Sequence, residues 1–290
     1  MAFRIPHSAF RIPHSAFMQP VLEFRDATIT FGGLTAVAPL SFSLPAGQLA
    51  AIIGPNGAGK TTVFNLITGV YAPTGGEIFF DGQRVASTGK SLRPHKLTRL
   101  GVARTFQNIR LFGDLSVEDN VRCGFASRAG YGLASALLRD AKQARQEAWI
   151  KDEAARLLEI FGLDNRAQTL ACNLPYGEQR KLEIARAMAT NPKLLLLDEP
   201  TSGMNPSETN EVTQTIRQVR EQFGLTVLLI EHHMSLVMGI CERVIVLDGG
   251  VKIADDAPLA VQNNPHVIAA YLGEPDPELD EAIEHHHAVA

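Results

Sequence analysis

The segment from Gly54 to Thr61 has the residue types and spacing of a loop that binds phosphate. It reads Gly-Pro-Asn-Gly-Ala-Gly-Lys-Thr, which matches the pattern Gly-x4-Gly-Lys-Ser/Thr between a predicted strand and a predicted helix. Its glycines let backbone N–H groups curl around the β- and γ-phosphates of a nucleotide, and the following helix adds the positive end of its dipole. Lys60 supplies a charge and Thr61 a hydroxyl for Mg²⁺. A chance match in a flexible surface loop is the alternative. The predicted nucleotide contacts are Asn56, Gly57, Ala58, Gly59, Lys60, Thr61 and Thr62.

Two adjacent acids, Asp198 and Glu199, end an apolar run that begins at Leu194. A buried strand end is a costly place for charge unless a cation or a reaction needs it. In phosphoryl transfer, one group holds Mg²⁺, directly or through water, and another orients and deprotonates the attacking water. We therefore predict that Asp198 binds Mg²⁺ and that Glu199 is the catalytic base. The alternative is a solvated helix cap at a strand end.

Further motifs follow the phosphate loop in a recognisable order. Their order is that of an ABC ATPase: Gln107, the stretch from Asn173 to Gln179, Asp198-Glu199-Pro200 and His232. The chain resembles that family from about Val21 to Gly273. The resemblance implies a P-loop NTPase (RecA-like) α/β core with an antiparallel β subdomain and a helical subdomain at about residues 108–189. It also implies ATP and Mg²⁺ as cofactors and ATP hydrolysis as the activity.

The family's residue roles carry over to the matching positions of this chain. Phe31 resembles the aromatic side chain that stacks on adenine, with ordinary strand-end core packing as the alternative. Gln107 resembles the glutamine that reaches Mg²⁺ and the attacking water, with a surface turn as the alternative. His232 matches the histidine that contacts the γ-phosphate. Gly177 and Glu178, at the start of a predicted helix, resemble residues that close over nucleotide held by an opposite subunit.

The segment Leu174-Pro175-Tyr176-Gly177-Glu178 departs from the usual ABC signature, Leu-Ser-Gly-Gly-Gln. Pro175 removes both the hydroxyl and the backbone donor that a serine would offer to the γ-phosphate. We therefore expect the ATP site completed by this segment to be the slower of two, and the partner to be a second, different ATPase chain with a fuller signature. A homodimer that tolerates the change is the alternative. The loop from Ser202 to Asn205 resembles the one that contacts this partner.

Three stretches narrow the resemblance to one subfamily. They resemble the ATP-binding subunits of bacterial branched-chain amino-acid importers and lie at Asn263 to Gly273, Tyr176 to Ala187 and Ile230 to His232. That subfamily implies transmembrane permease subunits, a periplasmic substrate-binding protein that delivers leucine, isoleucine or valine, and a place at the cytoplasmic face of the inner membrane through permease contacts. Related systems carry urea, short amides, aromatic acids or lipopolysaccharide. A soluble ABC ATPase of repair or translation and a non-hydrolysing regulator are the other classes considered; Glu199 disfavours the regulator.

Strands and helices must hold these residues in place. Runs that are apolar or alternating predict strands before the phosphate loop at Val21–Phe24, Ala27–Phe31, Leu40–Leu44 and Gln48–Ile53. Later runs predict strands at Leu194–Asp198, Thr226–Ile230 and Arg243–Asp248. Helical stretches separate these later strands, so we expect a largely parallel sheet that is buried on both faces.

The helix between the first two of these later strands has clear ends. Asn205 is its predicted N-cap and Gly224 ends it, while Pro206 fits its first position and Glu208 completes a capping box.

Between Asn108 and Ala189 strand signals almost vanish, which predicts a helical insert. It contains a helix from about Glu178 to Met188 and another over Lys142 to Phe161. The apolar positions predicted for the latter are Ala148, Ala155, Leu158 and Phe161.

Composition narrows the possible partners. The chain has 27 basic and 31 acidic residues and a net charge of −4, which argues against nucleic acid. Its three cysteines fit no zinc or disulfide pattern, so we expect small buried residues in a reducing compartment. The longest apolar runs are far shorter than the roughly 20 residues of a membrane helix, so membrane association is expected to come through another protein. Residues 1–20, which contain a seven-residue repeat, are expected to be a disordered extension, and residues 274–290 an acidic tail.

Overall fold

A computed structural model describes residues 19–127 and 141–272 of the chain. The acidic tail and all but the last two residues of the predicted extension lie outside these ranges. The predicted domain limits at residues 21 and 273 therefore stay predictions. Within the described ranges, no helix is long and apolar enough to cross a membrane.

The strands described in the structure form two sheets. In chain order they are β1 Leu22–Phe31, β2 Leu34–Leu44, β3 Leu49–Ile53, β4 Gly75–Phe80, β5 Gln83–Ser87, β6 Lys90–Ser91, β7 Val102–Arg104, β8 Leu194–Asp198, β9 Thr226–Ile230, β10 Arg243–Asp248 and β11 Val251–Asp256. One sheet has the order β2-β1-β4-β5-β6 and is antiparallel. The other has the order β11-β10-β3-β9-β8-β7, in which only β11 pairs antiparallel.

Helices cover the second sheet and form most of the region between its strands β7 and β8. They are α1 Lys60–Ile67, α2 Pro94–Leu100, α3 Val117–Gly124, α4 Ala141–Ile160, α5 Tyr176–Met188, α6 Pro206–Phe223, α7 Met234–Ile240, α8 Pro258–Gln262 and α9 Pro265–Leu272. The N-cap, first-turn proline, capping box and terminal glycine predicted for α6 are all present.

The sheet that carries the phosphate loop is buried on both faces. Along β3, Leu49, Ala51 and Ile53 belong to one hydrophobic cluster. Ala50 and Ile52, which point the opposite way, belong to another. Alternate residues of a strand face opposite sides of the sheet, so every position of β3 lies in a core. Because β3 and β8 both pair in parallel with β9, the carboxyl ends of the three strands lie at one edge of the sheet. Ligands bind at this edge in such folds.

Three of the predicted strands, β8, β9 and β10, have the predicted limits. Two others, Val21–Phe24 and Ala27–Phe31, are a single strand, so the prediction of a break between them was wrong. The register with β2 shifts between Phe24 and Ala27, and Asp26 adopts a left-handed φ of 48°. A bulge absorbs the extra residue while pairing continues on either side. Ser41 secures it, because its hydroxyl donates to the Asp26 carboxylate at 2.7 Å.

The helical region contains α3, α4 and α5 and, among its described residues, no strand longer than an isolated bridge. Helix α5 begins two residues earlier than predicted. In α4, the expectation that Ala148 and Ala155 face the core was wrong, because both are exposed. Leu158 and Phe161 are buried as predicted. The packed side of α4 runs instead through Ile150, Ala154, Leu157 and Leu158, with Phe161 just past its end.

The three cysteines differ in exposure. Cys241 is buried, as expected, but Cys123 and Cys172 are exposed, so the prediction of three buried thiols was wrong. Burial raises the pKa of Cys241, which keeps this thiol protonated and unreactive. Cys123 lies in the last turn of α3, and Cys172 lies in a short turn before α5.

Candidate active site

The phosphate loop connects β3 to α1 and depends on glycines where the chain makes close contacts. A Cβ on Gly54 would lie 2.0 Å from the backbone oxygen of Leu247, which leaves no room for a side chain. Gly59 has a φ of +94° and a Cβ there would lie 2.6 Å from the backbone oxygen of Ala36. Only glycine accepts both conditions. Helix α1 begins at the next residue, Lys60, with its first backbone N–H groups unsatisfied by any side-chain cap.

A cavity of about 330 Å³ lies over this loop. Its walls include every residue of the predicted nucleotide contacts from Asn56 to Thr62, together with Glu199 and His232. The Lys60 ammonium donates to the backbone oxygens of Gly54 at 2.7 Å and Pro55 at 2.8 Å. Burial lowers the pKa of Lys60, and the negative charges of Glu199 and Asp198 oppose that change. A cation, helix-end N–H groups and a hydroxyl are therefore gathered around one space, as phosphate binding requires.

Glu199 lies between Gln107 and His232. The Gln107 amide donates to one carboxylate oxygen at 2.8 Å, and His232 Nε2 lies 2.9 Å from the other. Glu199 also has a left-handed φ of 46°, which is uncommon for a side chain of this size and is found mainly where structure around it enforces the strain. The three residues predicted to be catalytic are thus in contact, although they come from separate loops.

The loop of Gln107 is held from the opposite side by a buried ion pair on α5. Arg180 and Glu183 are 0% and 2% exposed and 2.7 Å apart. Arg180 donates to the backbone oxygens of Phe106 at 2.6 Å and Gln107 at 2.7 Å. Burial raises the pKa of Glu183, against the lowering effect of Arg180. Helix α5, which begins with the signature segment, therefore fixes the backbone that presents Gln107.

Asp198 has a partner that the sequence interpretation missed. Its carboxylate accepts a hydrogen bond from Arg104 at 2.7 Å, and both side chains are nearly buried, at 7% and 8% exposure. Arg104 also donates to the Asn65 side chain at 2.7 Å and lies over the rings of Phe64 and Phe106. The available signal was a basic residue three positions before Gln107, at the end of a short strand.

The predicted Mg²⁺ ligands are Thr61, Gln107 and Asp198. All three offer oxygen atoms, which Mg²⁺ prefers, and it commonly takes only one or two protein carboxylates together with water and substrate phosphates. Thr61 is exposed at the cavity, and Asp198 ends β8, which β9 separates from β3. Within the described part of the chain there is no cluster of three or more His, Cys, Asp or Glu that could hold a metal by itself. The donor set fits a magnesium ion shared with a nucleotide.

Phe31 ends β1 and is exposed rather than packed in the core. It is 45% exposed, so the alternative of ordinary core packing was wrong. Its ring meets that of Tyr71 edge to face, with centroids 5.1 Å apart. In the β1–β2 hairpin Phe31 is paired with Leu34, which lines the cavity. An exposed, oriented ring next to the phosphate site is suited to stacking on a base.

Gly177 and Glu178 do not line this cavity. They lie in the first turn of α5, whose N-cap, Pro175, makes no side-chain hydrogen bond. Gly177 is buried and faces Glu208 on α6, and Glu178 pairs with Arg166 at 3.5 Å. Contact of these two residues with nucleotide on an opposite subunit stays a prediction.

Comparison with known proteins gives a consistent result. A family model described as ABC transporter matches residues 37–202, and one described as Branched-chain amino acid ATP-binding cassette transporter matches residues 251–277. The high-affinity branched-chain amino acid transport ATP-binding protein LivG of Escherichia coli K12 is 46% identical over 244 residues, which cover 84% of this chain and 94% of LivG. The corresponding protein BraF of Pseudomonas aeruginosa is 43% identical, covering 87% and 98%.

Solved structures show the same fold. The ADP conformation of an ATP-binding cassette of an ABC transporter superimposes with a TM-score of 0.75 at 27% identity, covering 89% of this chain and all of the other. A nucleotide-free cassette gives 0.74 at 27% identity, covering 88% of this chain and all of the other. The predicted P-loop NTPase fold is thereby confirmed. The chain belongs to the ABC transporter family, as one of its ATP-binding subunits, which hydrolyse ATP and work with membrane permeases.

Proposed function

We propose that this chain is the ATP-hydrolysing subunit of an importer for branched-chain amino acids, acting at the cytoplasmic face of the inner membrane through separate permeases. The proposal that the chain hydrolyses ATP rests on the contact of Glu199 with both Gln107 and His232 beside the phosphate loop. The substrate rests on the similarity to LivG and BraF, whose names specify branched-chain amino acids, and on the match of residues 251–277.

In the proposed mechanism, the phosphates of ATP lie along the loop from Asn56 to Thr62. Lys60 and the N–H groups at the start of α1 stabilise negative charge on them. Glu199 orients water for in-line attack on the γ-phosphate and accepts its proton, while His232 contacts the same phosphate. When bound, Mg²⁺ would be held by Thr61, Gln107 and Asp198 and would neutralise phosphate charge.

Permease contact is proposed at a groove of about 570 Å³ between the phosphate-loop core and the helical region. Phe112 is 53% exposed there, and Arg110 lies over the ring of Phe106 at 4.2 Å. The groove borders the Gln107 loop, so a helix seated in it would touch the backbone that presents Gln107. A second ATPase subunit, preferably a different chain, would complete the motor because Pro175 weakens the signature.

The decisive experiment is affinity capture of the chain from its native membrane in mild detergent, followed by identification of the chains that co-purify. We expect two permeases, a second ATPase and, after addition, a periplasmic substrate-binding protein. ATP hydrolysis by the reconstituted complex should rise with binding protein loaded with leucine, isoleucine or valine. Stimulation only by urea, amides or aromatic acids would contradict the substrate assignment, and capture of this chain alone would contradict the transporter assignment.

A further inference from the structure

Glu231 is a buried carboxylate next to the active site that the mechanism above does not use. It directly follows β9 and is 1% exposed. An acid is rarely buried to this extent unless its oxygens are well supplied with hydrogen-bond donors. The donors that satisfy Glu231 come from two different loops, and those loops carry the catalytic groups.

One oxygen of the carboxylate faces the loop after β8, and the other faces the loop after β9. Oε1 accepts from the backbone N–H of Thr201 at 3.2 Å and from the Thr201 hydroxyl. Oε2 accepts from the backbone N–H groups of His232 at 2.8 Å and His233 at 3.1 Å. His233 Nδ1 lies 3.2 Å from the same oxygen. These bonds to a charged acceptor are stronger than those between neutral groups.

The two joined loops hold the base and the histidine that meets it. Thr201 lies two residues after Glu199, and His232 is the residue after Glu231. The backbone N–H of Glu199 also donates to the backbone oxygen of Ile230 at 2.9 Å. These hydrogen bonds therefore join the two loops next to the 2.9 Å contact between Glu199 and His232. Movement of either loop would change that contact.

We propose that Glu231 is a positioning residue for ATP hydrolysis, which keeps the loops of Glu199 and His232 in register without touching the nucleotide. The inference rests on the proposed role of Glu199 as the base. Glu231 does not line the phosphate cavity, so it makes no direct contact with a nucleotide bound there. Its influence reaches turnover only through the placement of Glu199 and His232.

The first test is Glu231→Gln in the purified full-length chain with its co-purifying subunits. Glutamine has the same shape, but its NH₂ must face N–H donors in whichever direction the amide is turned. We expect kcat to fall by about 10- to 100-fold, the usual result of a small displacement of catalytic groups, while KM for ATP stays within about twofold. A kcat within about twofold of the wild type would overturn the proposal.

A double variant separates positioning from a general structural role. If Glu231 acts by placing Glu199 and His232, adding Glu231→Gln to Glu199→Gln should lower the residual turnover much less than Glu231→Gln alone does, because the base is already lost and only the placement of His232 is still affected. A further fall similar to that caused by the single Glu231→Gln change would contradict the proposal. Absence of hydrolysis in the wild-type complex would count against the proposed function instead, so the two failures are distinguishable.

Two threonines provide a matched control. Thr201→Val removes the hydroxyl that donates to Glu231, and Thr226→Val removes a buried hydroxyl at the opposite end of β9, which accepts from the Gly47 backbone at 2.9 Å. Thr201 and Thr226 are 0% and 1% exposed, so both changes should lower thermal stability, and Thr201→Val the more because its hydroxyl donates to a carboxylate. Only Thr201→Val should lower kcat. Equal kcat values for the two variants would refute the positioning role.

Discussion

Replacing Arg104 with methionine should destabilise the ligand-free chain because it leaves Asp198 buried without its cation. The change removes a 2.7 Å ion pair whose side chains are 8% and 7% exposed. It also removes the hydrogen bond to Asn65. Methionine keeps much of the apolar volume of the arginine stem, so lost charge rather than a lost side chain dominates the result.

The expected size follows from the burial of the pair. Removing one partner of a buried ion pair typically costs about 3–5 kcal/mol, since the remaining charge is uncompensated. For a domain of this size, each kcal/mol lowers the unfolding midpoint by about 2–4 °C. The midpoint of Arg104→Met should therefore fall by roughly 6–20 °C.

Arg84→Met is the matched control. Arg84 pairs with Glu77 at 2.6 Å, but the side chains are 60% and 36% exposed. An exposed pair of this kind contributes no more than about 1 kcal/mol. Thermal unfolding of both variants by circular dichroism, without nucleotide, gives the comparison. Equal shifts for the two variants would refute the argument from burial.

A second measurement tests whether the uncompensated charge belongs to Asp198. Adding MgADP should raise the midpoint of Arg104→Met more than that of the wild type, because a cation brought to Asp198 replaces the lost guanidinium. Equal increases would mean that the destabilisation arises elsewhere in the variant.

Three further predictions concern catalysis, the signature and acid stability. Glu199→Gln should lower kcat by about 10²- to 10⁴-fold and trap ATP on the complex; undiminished hydrolysis would rule out its role as the base. Pro175→Ser in the reconstituted complex should raise or preserve turnover, and a large loss would count against a weakened signature. Burial favours a higher pKa for Asp255, but hydrogen bonds from Arg243 and Lys252 outweigh it and lower the pKa below 3.8. Ionised Asp255 therefore stabilises the fold at neutral pH through Arg243 and Lys252. In urea titrations, the free energy of unfolding of the wild type should exceed that of Asp255→Asn, and the difference should shrink only as the pH falls below about 4.

Much of the fold could be predicted because its strongest signals are local. The strands Leu194–Asp198 and Thr226–Ile230 are short, continuous apolar runs, and such runs form buried parallel strands regardless of distant detail. The capping box of Asn205 and Glu208 lies within one turn of α6. The bulge at Asp26 was less visible, because the partner that stabilises it, Ser41, lies on the next strand.

The site residues that belong to a local sequence motif were predicted. Those that reach the site only through the order of strands in the sheet were missed. Lys60, Asp198 and Glu199 stand in recognisable patterns. Arg104 reaches Asp198 only because β7 pairs beside β8, although 94 residues separate them. Thr201 reaches Glu231 only because β8 and β9 are neighbours. A local pattern can mark such a residue, as the basic position three residues before Gln107 does, but the contact itself exists only once the parallel sheet has formed.

The distribution of thiols makes the chain a ready substrate for site-directed fluorescence and spin labelling. Cys123 and Cys172, which are exposed, both lie in the helical region, whereas Cys241 is buried in the core with its thiol held protonated. A maleimide reagent applied to the native protein would therefore mark the helical region alone. With a single added reporter on the phosphate-loop core, any change in the distance between the two regions during ATP turnover becomes measurable with no engineered cysteine in the helical region.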